Sequence, residues 1–129
     1  GAWNNYRGHI EPIHTRQGPG VGDAASGTTA PELYRSAADQ KAFQNLRKAV
    51  KLMRYGGDAY FFSVLAAGHI DIALDAGLQA YDIAALIPII RGAGGAVGSW
   101  NGSNPAEGGN IICAGSETLL QAAIEVMLA

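Results

Sequence analysis

Tyr81-Asp-Ile-Ala-Ala-Leu-Ile-Pro-Ile-Ile-Arg-Gly-Ala-Gly-Gly95 reads as a helix with almost no polar face. Asp82 opens it, apolar residues run nearly unbroken from Ile83 to Ile90, and the glycines from Gly92 to Gly95 stop it. A helix that is apolar on all sides has to be sandwiched between layers. The run is far too short to span a bilayer, so it predicts a buried element of a layered domain and no membrane association.

The neighbouring segments extend this picture. Upstream, Ile70-Asp-Ile-Ala-Leu74 alternates and predicts a strand, and Ala59–Ala67 is a second helix apolar nearly all round, with Gly68 as its stop. Phe43, Leu46 and Val50 recur at helical spacing with lysines and arginines off that stripe, so residues 37–51 form an amphipathic helix that leads into a short strand at 52–55. Thr29-Ala-Pro-Glu32 reads as a helix start, with Thr29 as cap and Glu32 completing a capping box. Downstream, 96–100 and 110–114 are strands joined by a Gly/Asn/Pro loop, and Ser116 caps a last helix over 117–128. Residues 23–28 are a weak strand. The fold class is therefore α/β, a layered mixed sheet with flanking helices, over 23–129. Residues 1–22 form an irregular N-terminal segment whose scattered Trp3, Tyr6, Ile10 and Ile13 fit a hairpin near 2–6 and 10–15.

The bulk composition excludes several function classes. The chain has 129 residues, which is one ordinary domain, with 48% hydrophobic and 16% charged residues, the opposite of a disordered balance. A net charge of −2 with no basic stripe gives nucleic-acid binding no electrostatic support. The single cysteine, Cys113, cannot form a disulfide within the chain, and a cytoplasmic location is the default expectation. The chain starts at Gly1 rather than Met, which is expected of a fragment or a processed piece. His9, His14 and His69 are not spaced as metal ligands. The glycine cluster 92–98 follows a helix and precedes a strand, the reverse of a dinucleotide loop, so it is a helix stop and turn.

Three acids stand where α/β folds place ligands, at strand ends and helix starts: Asp58 after Gly56-Gly57, Asp75 just past a strand, and Asp82 at the start of the apolar helix. Each also has a plain structural reading, as a turn residue or a cap. The functional reading of Asp82 is a carboxylate for a hard cation such as Mg²⁺. One carboxylate does not make such a site.

The stretch from Tyr81 to Gly95 resembles the second signature of the inositol monophosphatase superfamily, a Trp-Asp-x-Ala-Ala motif followed by an Ala-Gly-Gly ending, with Tyr81 in place of the usual Trp. Arg54-Tyr-Gly-Gly-Asp-Ala-Tyr60 and Asp75-Ala-Gly-Leu-Gln-Ala-Tyr-Asp82 look most like its histidinol-phosphate phosphatase branch. The resemblance covers 23–129 well and the first 22 residues weakly. It implies the C-terminal half of a Mg²⁺-dependent phosphatase of small phosphorylated alcohols, of the histidinol-phosphate or inositol-phosphate type. It implies Asp82 as the one metal ligand of this half. It implies Gly57, Asp58 and Ala59 as the turn lining the leaving-alcohol pocket, with Asp75 standing where the family usually has a Glu that touches substrate. An acid at 58 would suit a cationic substrate. The family's other metal ligands come from an upstream Glu and an Asp-Pro-Ile/Leu-Asp-Gly-Thr segment, and this chain contains no Asp-Pro pair. Mg²⁺ is therefore expected to bind weakly or not at all without the missing half, and the chain alone is expected to be inactive. The apolar helices predict a partner, either a homo-oligomer or the missing N-terminal half. The alternative is a non-catalytic homo-oligomeric module of the same fold that binds a small polar ligand.

Overall fold

Strand order dictates where everything else lies. A computed structural model describes residues 1–129. Its main sheet contains β3 (Ala25–Gly27), β4 (Leu52–Arg54), β5 (Ile72–Gln79), β6 (Ala96–Gly98) and β7 (Gly108–Ala114), in the order β4-β3-β5-β7-β6. β4, β3 and β5 are parallel, while β7 runs antiparallel to both β5 and β6. β1 (Ala2–Tyr6) and β2 (His9–Ile13) pair antiparallel in a separate two-stranded sheet, the hairpin expected near that position.

From β3 the chain crosses through α1 (Ala37–Ala49) to β4 on one side, then through α2 (Ala59–Ala66) to β5 on the other. Right-handed crossovers in opposite directions put their helices on opposite faces of the sheet. Two cores result. Phe43 and Leu46 of α1 pack with Leu119, Leu120 and Met127 of α5 (Glu117–Leu128) on one face. Phe62 and Leu65 of α2 pack with Ile87 and Ile90 of α4 (Leu86–Gly92) on the other. Cys113 lies in this second core, and burial pushes its thiol pKa up. No helix is long and apolar enough to cross a membrane.

Local signals explain most element ends. The side chains of Ser36 and Ser116 accept from the amides of Asp39 and Leu119, capping α1 and α5. After α2, Gly68 takes φ +86 and the Gly68 and His69 amides donate to Leu65 and Val64, a Schellman ending. The Gly92–Gly95 cluster closes α4 in the same way, through Gly94 and Gly95 to Arg91 and Ile90.

Four expectations are corrected. Thr29 caps nothing: the short 3-10 turn Pro31–Leu33 follows Ala30 without a side-chain cap. Asp75 lies inside β5, not beyond it. Asp82 does not open the apolar helix; it is the third residue of a one-turn helix, α3 (Ala80–Ile83), which begins after Gln79 and is followed by α4. The strand at 96 ends at Gly98. For Thr29 a long-range bond to Asp75 overrides the local signal, whereas Asp82 is placed by a local capping box with Gln79.

Candidate functional site

The carboxyl ends of the three parallel strands lie side by side, the place where open α/β sheets bind ligands. Thr28 and Thr29 follow β3, the Gly56-Gly57-Asp58 turn follows β4, and β5 carries Asp75 toward α3 and Asp82. Asp58, Asp75 and Asp82, nominated separately from sequence, line one cavity of about 120 Å³ together with Ala59, Phe62 and Leu78. A larger depression of about 710 Å³ beside α1 is lined by solvated side chains such as Glu32, Arg35 and Lys41 and gathers no comparable set of groups.

The three acids are held differently. Asp82 is exposed and accepts the Gln79 amide through Oδ2 at 2.8 Å, the backward half of a capping box, which leaves Oδ1 free. Asp58 is exposed, takes φ +51 at the residue before α2, and makes no cap bond there. A non-glycine residue in that region is held by its surroundings and is a pointer to function. Asp75 is 2% exposed and accepts three hydrogen bonds: the Thr28 hydroxyl at 2.9 Å, the Thr29 amide at 2.7 Å and the Thr29 hydroxyl at 2.8 Å. Burial pushes its pKa up against the pull of those donors.

Beyond Asp75 the strand carries a bulge. Asp75 pairs with Ile111 and Leu78 with Gly109, so Ala76 and Gly77 together face Asn110. Gly77 takes φ +71 to do this, and such bulges re-aim side chains next to sites. The Gly57 requirement has another cause. A Cβ there would sit 2.2 Å from the Phe61 ring, and one on Gly27 would sit 2.7 Å from the same ring. Phe61 therefore seats its ring on both glycines and ties the β3 end to the Asp58 turn.

Sequence reasoning missed the residues behind Asp75. Thr28 shares a hydrogen bond of 2.9 Å with the Tyr34 hydroxyl, and Tyr34 stacks on Phe43 at 4.3 Å between ring centroids. Two adjacent threonines at the end of a strand candidate were the available signal. No group of three or more His, Cys, Asp and Glu side chains is placed to hold a metal ion. One free oxygen on Asp82 fits a single position in an octahedral Mg²⁺ shell, and Asp75 is engaged by its own chain, so these residues do not fit a Mg²⁺ site by themselves.

The fold is shared with known proteins. The model of the inositol monophosphatase family matches residues 1–127. The chain is 37% identical over 124 residues to the bifunctional phosphatase IMPL2, chloroplastic, of Arabidopsis thaliana, covering 89% of this chain and 36% of that protein. An inositol monophosphatase from Zymomonas mobilis is similar in structure with a TM-score of 0.84 at 34% identity, covering 95% of this chain and 48% of that one. The extragenic suppressor protein suhB of Bartonella henselae gives 0.77 at 26% identity, covering 89% and 45%. The chain thus spans about half the length of these solved structures and about a third of the plant protein.

Proposed function

The chain belongs to the inositol monophosphatase family, and from that premise we propose that it is the C-terminal half of a Mg²⁺-dependent phosphomonoesterase. The observation that carries this reading is the convergence of Asp58, Asp75 and Asp82 on one cavity at the carboxyl ends of three parallel strands. In the proposed site Asp82 supplies one metal-binding carboxylate. Gly57, Asp58 and Ala59 form the wall on the side of the leaving alcohol, with Asp75 in the floor. The substrate is a small phosphorylated alcohol, histidinol phosphate or an inositol monophosphate, and the exposed Asp58 carboxylate favours one that carries a positive charge. When bound, Mg²⁺ would activate water and neutralise phosphate charge. The remaining metal ligands are assigned to a second half outside these residues.

A second reading, a non-catalytic homo-oligomeric module, has one observation in its favour. Tyr60 and Ile89 are exposed and line, with Trp3 and Ile13, a groove of about 320 Å³ beside the hairpin. A monomer at micromolar concentration in light scattering would count against it.

The decisive experiment measures phosphate release from histidinol phosphate and from inositol monophosphate by the purified chain in excess Mg²⁺. The expected result is no turnover above background. Turnover that disappears in Asp82→Asn would overturn the half-site reading, because a set of copies of this chain would then build the metal site unaided.

A further inference from the structure

Asp75 spends its acceptors on the chain itself. Its Oδ1 takes the Thr28 hydroxyl and the Thr29 amide, and its Oδ2 takes the Thr29 hydroxyl. Those two threonines are in turn bonded to the segment that carries Asp58. The Thr28 amide donates to the Arg54 carbonyl at 3.0 Å, and the Thr29 carbonyl accepts from the Gly56 amide at 2.8 Å. The Phe61 ring then rests on Gly27 before the threonines and on Gly57 after Gly56, closing the same connection from the other side.

A second set of bonds pins the strand just past Asp75. The Gly77 amide of the bulge donates to Asn110 Oδ1, and the Asn110 side-chain amide donates to Asp39 at 2.8 Å. Asp39 also accepts from the Trp100 indole at 3.1 Å, and Trp100 packs beside Tyr34, the partner of Thr28. The network leaves the bulge at Gly77 and returns to Asp75 through Tyr34 and Thr28, so the carboxylate is fixed from both directions.

We propose that Asp75 is a positioning residue of the pocket, a clamp that acts through Thr28 and Thr29 to hold the Gly56-Gly57-Asp58 turn in place, rather than a group that grips the ligand. The inference deepens the pocket reading above and rests on it for the identity of the wall being positioned. Its structural content is a short chain of contacts: Asp75 to Thr29, Thr29 to Gly56, and Gly56 through Gly57 to Asp58. A carboxylate with two hydroxyls and an amide on it has little acceptor capacity left for a substrate.

The test is amide hydrogen exchange and backbone NMR on the full 129-residue chain. Thr29→Val removes one donor to Asp75 at nearly constant shape. The expected result is a loss of Gly56 amide protection of roughly fivefold to tenfold, the size of one lost hydrogen bond. The Asp58 and Ala59 amide signals should move with it, while α5 amides keep their protection. Thr29→Ser restores both readouts, which a role as mere filler would not produce. If Thr29→Val does not fold, Thr28→Val removes the other hydroxyl and carries the same expectation. Unchanged Gly56 protection in the variant that folds, or no rescue by Thr29→Ser, would overturn the clamp. The readouts need neither metal nor turnover. Mg²⁺-dependent turnover by the chain alone would sink the half-site reading and leave the clamp standing, whereas unchanged Gly56 protection sinks only the clamp.

Discussion

Two aspartates are buried on the β5 segment, one just before the strand and one midway along it, and their charges are balanced in different ways. Asp71, just before the strand, is 0% exposed, and Asp75, inside it, is 2% exposed. Asp71 meets a cation: Arg16 donates from Nε to Oδ1 at 2.8 Å and from its terminal nitrogen to Oδ2, which also accepts the Ala25 amide. Asp75 meets only neutral donors, two hydroxyls and one amide. The Arg16 end is further closed by Thr15 and Gln17, whose side chains donate to the Gly115 carbonyl and lash the N-terminal segment across the sheet. The Asp75 end stays open to a cavity shared with two more acids. A buried carboxylate with its own cation is a structural fastening. A buried carboxylate without one relies on the two hydroxyls and the amide that hold it, and the exposed Asp58 and Asp82 beside it are the acids left to meet a ligand.

The largest effect is expected from breaking the first end. Arg16→Met leaves Asp71 buried with no counter-charge. A fully buried pair loses about 3–5 kcal/mol on such a change. The Arg16 side chain is 48% exposed, so solvent screening lowers the expected loss to about 2 kcal/mol. Urea unfolding measures it, and Arg16→Met combined with Asp71→Asn should recover most of the loss. A change within about 0.5 kcal/mol for the single variant would mean that water already balances Asp71 and that the two ends do not differ.

The second end should show itself in pH dependence. Burial raises the Asp75 pKa in the folded chain above its unfolded value. Between those two values the folded state binds more protons than the unfolded state, so stability falls as pH rises through the window just above the ordinary carboxylate pKa of about 3.9. Arg16 behaves otherwise: Asp71 raises a pKa that is already far into the alkaline range, so Arg16 keeps its charge from about pH 4 to pH 7. Urea midpoints measured from about pH 4 to pH 7 should therefore fall in the wild type relative to Asp75→Asn. The opposite slope would mean that the threonine donors outweigh burial and that Asp75 is as well balanced as Asp71.

Sequence made the open end more legible than the closed one. Asp58, Asp75 and Asp82 could be nominated because acids near predicted element boundaries stand out locally, although Asp75 lies inside β5 and Asp82 at the third position of α3, and the family wording added Gly57 and Ala59. Arg16 could not be matched to Asp71, because their pairing depends on how the N-terminal segment crosses the sheet. The helix and cap signals of α1 and α5 survived because each is set within one turn or one face, whereas β5, expected over 70–74, runs from Ile72 to Gln79. Thr29 was misread for the same reason in reverse: a local capping pattern was complete, and a carboxylate far along the chain took its hydroxyl. Gly57 looked like a turn glycine, yet what forbids a side chain there is the Phe61 ring. The β5 bulge leaves no periodic trace, since it appears only as an uneven register with β7.

Ser26 extends the comparison to a third case and carries the smallest predicted effect. It lies on β3 between Met53 and Ile72, is 1% exposed, and its hydroxyl has no hydrogen-bond partner. Asp71 thus has a cation, Asp75 has neutral donors, and Ser26 has neither. A buried hydroxyl without a partner has lost its water and gained nothing in return. Ser26→Ala should therefore raise stability, by about 0.5–1 kcal/mol, because removing an unpaired polar group is near neutral or favourable where removing a paired one is not. Thermal unfolding of the variant measures this directly. A loss of similar size would place a hydrogen-bonded water beside Ser26. The sheet interior would then satisfy every polar group it buries, and the incomplete balance at Asp75 would stand out more sharply as the property of a site.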